Sequence, residues 1–108
     1  MSSSWEDLLD TLKNGSAAIL KGELRSLLET TKADSEEFVQ RQARKLERYL
    51  NQLAAGVITR EQFEGYVLDL KALTAMEALR MSVAGRASAQ RLADGIGKLV
   101  IDGLLKLL

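Results

Sequence analysis

Apolar positions recur at helical spacing along almost the whole chain, and the interruptions between them divide it into four or five helices. Trp5, Leu8, Leu9 and Leu12 mark a first helix over 4–13, opened by Ser3 and Glu6 at the spacing of a capping box. Asn14-Gly15-Ser16 interrupts it, either as a turn or as a weak point in a longer helix. Ile19, Leu20, Leu24, Leu27 and Leu28 then define a second helix over 16–31, although Gly22 inside it costs about 1 kcal/mol relative to alanine.

Lys32-Ala33-Asp34-Ser35 is the next break. Asp34 can cap a third helix over 35–55 with Glu37 three residues on, and Glu36 and Glu37 suit the positive end of its dipole. Phe38, Val39, Gln42, Leu46, Tyr49, Leu50 and Leu53 fall within about 120° of arc on that helix. Gly56 follows as a left-handed C-cap. Thr59 and Gln62 then form a second capping box, flanked by Ile58 and Phe63 as a hydrophobic staple. So short a connection makes the helices on either side an antiparallel hairpin.

The fourth helix, expected over 60–83, is apolar on two sides. Phe63, Tyr66, Val67, Leu70, Leu73 and Met81 form one stripe, and Leu68, Ala72, Ala75, Met76, Leu79 and Val83 form another nearly opposite. Such a helix must lie at the centre of a bundle or at an interface, where flexible methionines adapt to imperfect surfaces. The fifth helix, over 86–107, exposes a line of Asp94, Lys98, Asp102 and Lys106, which can pair along the helix; nearly everything else from Leu92 onward is apolar or glycine. Gly85, Ala89, Ala93 and Gly97 recur every four residues and permit close approach of another helix backbone. Breaks at Gly85 or Gly95-x-Gly97 are the alternative. The expected oligomer interface therefore comprises Leu68, Ala72, Met76, Leu79 and Val83 with Gly85, Ala89, Ala93, Gly97, Val100 and Leu104.

Within the hairpin, Leu50, Leu53, Gly56, Ile58, Thr59, Glu61 and Phe63 resemble the two-helix SHOCT (short C-terminal domain) module. The resemblance covers residues 46–73. It departs at Gln62, where the family prefers glutamate, at Val67, in a stretch that is more often basic, and in position, since the chain runs well beyond Leu73. The resemblance implies self-association and transfers no catalytic residue.

Composition narrows the chemistry. The 108 residues include 20 leucines and 13 alanines but no proline, cysteine or histidine, which favours helix and excludes disulfides, thiol chemistry, zinc sites and every Ser-His or Cys-His mechanism. An enzyme would have to work with carboxylates, lysine, tyrosine or serine alone. The clusters Glu6/Asp7/Asp10 and Glu36/Glu37 lie where helix N-termini favour acids, and Asp94-Gly95-Ile96-Gly97-Lys98 lacks the strand and spacing of a phosphate loop. No catalytic residue, metal or cofactor is expected.

Fifteen basic residues balance fifteen acidic ones, so no global field attracts a polyanion. Arg41, Arg44, Lys45 and Arg48 form the densest basic cluster, expected to be a solvated face carrying salt bridges with Glu37 and Glu47. The start lacks a signal peptide's basic and apolar regions, and no stretch approaches a membrane span, so the expected location is cytoplasmic. The reading is an all-α bundle of four to five helices in a single domain over 1–108, completed by homo-oligomerisation and working as a protein-interaction or structural module. The alternatives are a membrane-surface effector using residues 92–108, though that segment lacks aromatic anchors and net positive charge, and a nucleic-acid adaptor using Arg44 and Arg48.

Overall fold

The computed structural model describes residues 4–108 and is all-helical, as the pattern predicts. The helices are α1 (Ser4–Thr11), α2 (Gly15–Lys32), α3 (Glu37–Ala54), α4 (Arg60–Ala78) and α5, which runs through three successive stretches, Val83–Gly95, Ile96–Leu104 and Leu105–Leu107. The capping box expected of Ser3 begins outside the described residues.

Local signals set most of the boundaries. Lys13 takes a left-handed conformation (φ 44°) and the Asn14 side chain accepts from the Ser16 N–H at 2.8 Å, so the interruption there is a turn that caps α2. Gly56 supplies the left-handed residue after α3 (φ 75°), and the Val57 N–H reaches back to the Gln52 carbonyl at 2.9 Å. Both bonds of the Thr59–Gln62 capping box form, at 3.1 and 2.8 Å.

The start of α3 and the corner between α4 and α5 differ from expectation. Asp34 is not the N-cap of α3, which starts at Glu37. Its carboxylate instead accepts from the Glu36 N–H at 2.8 Å and from the Ser88 hydroxyl on α5. The Ser88 bond, then the Glu36 N–H, holds the Asp34 pKa below the usual aspartate value, with Arg91 nearby adding to the effect. The fourth helix ends at Ala78, not at 83. Ser82 caps α5 by accepting from the Gly85 N–H at 3.3 Å, while Arg86 Nε donates to the Ala78 carbonyl at 3.3 Å and fastens the corner. The fifth helix accordingly starts at Val83 and passes through Gly85 and Gly95 without a break.

From Ile96 to Leu104 the fifth helix widens into a π-helix, whose bonds run from residue i to i+5; the Leu105 N–H, for instance, donates to the Val100 carbonyl. In an ordinary α-helix, residues four apart drift by about 40° around the axis. A wider turn slows that drift, which keeps Leu92, Ile96, Val100 and Leu104 in one line, each no more than 1% exposed. Gly103 fits this geometry because a Cβ there would lie 3.3 Å from the Lys98 carbonyl, five residues back.

The core gathers Leu24 and Leu28 of α2, Val39, Leu46 and Leu50 of α3, Phe63 and Val67 of α4, and the α5 line. α5 packs on α4, α2 and α3, while α1 closes the bundle over α3 and α2. Trp5 is 3% exposed in that closure, and its backbone N–H donates to Asn51 Oδ1 at 3.1 Å, so the first helix completes the bundle. Ion pairs Arg25–Glu6 and Lys21–Asp10 tie α2 to α1; the Glu6 carboxylate also raises the Arg25 pKa. The buried hydroxyl and amide side chains are partnered internally: Gln42 donates to Thr74 Oγ1 at 3.3 Å, and Thr74 in turn donates to the Leu70 carbonyl.

Candidate interaction surface

The residues expected to form a subunit interface divide into two sets with opposite fates. On α4, Phe63, Val67 and Leu70 face the core, whereas Leu68, Ala72 and Met76 lie on the outer side. Leu79 and Val83 extend that outer strip across the corner into α5. Met76 is 60%, Leu79 68% and Val83 83% exposed, and Leu68 is 46% exposed. The apolar strip opposite the core is thus uncovered by the rest of the chain.

The second set is corrected by the fold. Gly85, Ala89, Ala93, Val100 and Leu104 are buried within the protomer, and Gly97 is half-buried. The small residues do permit close approach, but to helices of the same chain. A Cβ at Gly95 would meet the Leu27 methyl groups at 2.5 and 2.9 Å, one at Gly97 would meet Lys71 Cε at 2.7 Å, and one at Gly85 would meet the Glu36 side chain at 3.0 Å. The physical reason is the corner at residues 79–82, which turns α5 back along α4 and presents its small-residue face to the inside. The row cannot also receive a second copy. Likewise Ile96, Val100, Leu104 and Leu105, at most 4% exposed, are spent internally, so lipid contact through them would require α5 to leave the bundle, while Leu99 and Leu107 stay half-buried and Leu108 exposed.

Arg91, Asp94, Lys98, Asp102 and Lys106 all face solvent, as their spacing predicts. The ion pairs that fasten the bundle lie elsewhere, between α1 and α2 and between α2 and α3. An open groove of about 360 Å³ runs beside that line between α2 and the π-helical stretch, lined by Ile19, Leu20, Leu99 and Leu107 and rimmed by Glu23, Lys98, Asp102 and Lys106. Ile19 is 67% exposed there, against the expectation that it joins the inner face. Leu20, one residue on, takes the inward position, and a helix turns about 100° between them. Two acids and two bases on the rim favour no particular ligand charge.

The basic cluster also departs from expectation. Glu47 pairs with Lys32 of α2 at 2.9 Å, and among the described residues Arg41, Arg44, Lys45 and Arg48 enter no ion pair. Beside them Tyr49 of α3 and Tyr66 of α4 stack at 5.2 Å between ring centroids, tilted by 31°. The periodicity placed these tyrosines on apolar faces without revealing that they meet. Among the described residues no group of three or more acidic side chains is placed to hold a metal ion, and no helix is long and apolar enough to cross a membrane. Neither a family model, nor a curated protein, nor a solved structure matches the chain.

Proposed function

We propose that this chain is a non-catalytic, self-associating helical module whose copies meet through the outer strip of α4 and its exit, Leu68, Ala72, Met76, Leu79 and Val83. The observation that carries the reading is the exposure of Leu68, Ala72 and Met76 together on the face of α4 opposite the core, with Leu79 and Val83 exposed at the corner that follows. Isolated surface leucines need no explanation, but an uninterrupted apolar strip marks an interaction site. Covering one large aliphatic side chain fully contributes about 1.5–3 kcal/mol, so a few of them meeting a second copy supply a useful share of an association energy. Ala72 at the middle of the strip lets two helices approach closely, and Met76 adapts to an imperfect fit. The SHOCT resemblance of the α3–α4 hairpin points toward the same behaviour.

Sedimentation equilibrium tests the proposal. The wild-type chain is expected to sediment as a dimer or higher oligomer, and Met76→Lys with Leu79→Lys is expected to yield a monomer of unchanged helicity. A wild-type chain that stays monomeric, or a double variant that still assembles, overturns it.

A further inference from the structure

We propose that the outer face of α3, with the tyrosine pair beside it, binds single-stranded nucleic acid. Arg41, Arg44, Lys45 and Arg48 span about 10 Å of helix axis. They line a shallow depression of about 230 Å³. The three arginines are exposed; of the acids on their helix, Glu47 is taken by Lys32, and Glu37, one turn before Arg41 at the end of the row, leaves the four cations in excess. Four cations three and four residues apart repel one another, and no ion pair among the described residues relieves that repulsion. A polyanion laid along the helix would relieve it, in spite of the chain's net charge of zero.

What selects a single strand over other polyanions is the neighbouring aromatic surface. Lys45 also lines a second depression, of about 130 Å³, together with Tyr49, Tyr66 and Asp69. Tyr66 is 40% exposed, and the Arg48 guanidinium lies 6.0 Å from the Tyr49 ring centroid. Phosphate-binding cations and an accessible ring therefore lie side by side, the two components of sequence-tolerant single-strand binding. Asp69 assigns the polarity of the site. Its carboxylate repels phosphate from the aromatic end and accepts a hydrogen bond from an exocyclic amino group, so phosphates follow the arginines and a base stacks on Tyr66. A duplex keeps its base faces paired and stacked, and a lipid surface has none; either could use the arginines but would leave Tyr66 idle. The site is independent of the outer α4 strip, which lies on another face of that helix.

Fluorescence anisotropy with a labelled single-stranded oligodeoxycytidine, the matching duplex and anionic phosphatidylserine vesicles provides the test. The single strand is expected to bind at low salt with a logarithmic salt slope of about −2.8, from about −0.7 per phosphate contact at four cations. Arg44→Ala with Arg48→Ala is expected to bring that slope to about −1.4. Tyr66→Ala is expected to weaken single-strand binding by about tenfold with the slope unchanged, and Tyr66→Phe to preserve it. Circular dichroism establishes that these surface variants remain folded. No binding by the wild-type chain at low salt overturns the proposal. So does binding that Tyr66→Ala leaves intact, or equal affinity for the duplex or the vesicles.

Discussion

Gly95 lies flush against Leu27, so close that a single added carbon would sit 2.5 Å from a leucine methyl group. This contact lets the fifth helix settle onto the second. It also explains a glycine that helix propensity alone disfavours by about 1 kcal/mol. Gly95→Ala is therefore expected to destabilise the chain by about 1–3 kcal/mol through overpacking, despite the better helix former. Urea denaturation followed by Trp5 fluorescence measures it. A more stable variant would mean that Leu27 moves aside freely.

The two halves of the expected interface should respond differently to charge. Ala93 is 4% exposed and packed inside the protomer, so Ala93→Glu is expected to lower the stability of the fold itself by several kcal/mol. Met76 is exposed, so Met76→Lys should change stability by less than about 0.5 kcal/mol. Thermal melts of the two variants at low protein concentration, where association contributes least, separate them. Equal melting temperatures would contradict the assignment of inside and outside.

Trp5 is buried, yet among the described residues its indole N–H finds no acceptor. An unsatisfied buried donor offsets part of what the ring contributes by packing. Trp5→Ala is expected to cost about 3–5 kcal/mol, as other large aromatic truncations do. Trp5→Phe, which keeps much of the ring and removes the orphan donor, is expected to cost far less. Denaturation followed by far-UV circular dichroism gives both values, and similar losses would show that the N–H is in fact satisfied.

Asp34 links the α2–α3 connection to α5 through Ser88, and its pKa is depressed in the folded chain. The unfolded chain therefore takes up this proton first as the pH falls. The associated stability is complete above the ordinary aspartate pKa of about 4 and is lost as the pH drops through the lower folded value. Ser88→Ala removes the main cause of the depression and should flatten the acid limb of a stability–pH curve, with little change near neutrality beyond a constant offset. An acid limb of unchanged steepness would assign that dependence to other carboxylates.

The helix boundaries that could be read from the chain are those decided within a few residues. Gly56 and the Thr59–Gln62 box each act on backbone groups next to them, so residue identity and spacing suffice, whereas Asn14-Gly15-Ser16 left a turn and a weak point both open until the left-handed Lys13 decided for the turn. The end of α4 was less legible. Ser82 is a good cap, but the apolar residues on both sides of it continue a helical pattern, and the corner depends on Arg86 reaching the Ala78 carbonyl. The π-helix had a visible trace. Leu92, Ile96, Val100 and Leu104 on the inside, and Asp94, Lys98, Asp102 and Lys106 on the outside, both repeat every four residues, which an unmodified α-helix would spread around its axis.

By itself the sequence determined the all-helical class, the α3–α4 hairpin and the faces of each helix that are apolar, because propensity, caps and periodicity are local properties. Only the tertiary structure decided what covers each face. It spent the small-residue row of α5 within the protomer, left the outer strip of α4 exposed, and set Tyr66 against Tyr49 beside arginines that enter no ion pair among the described residues. The physical reason is that apolar patterning records the need for burial but carries no information about the surface that meets it. That surface depends on the path of the chain between helices, and a turn at residues 79–82 was enough to exchange one partner for another.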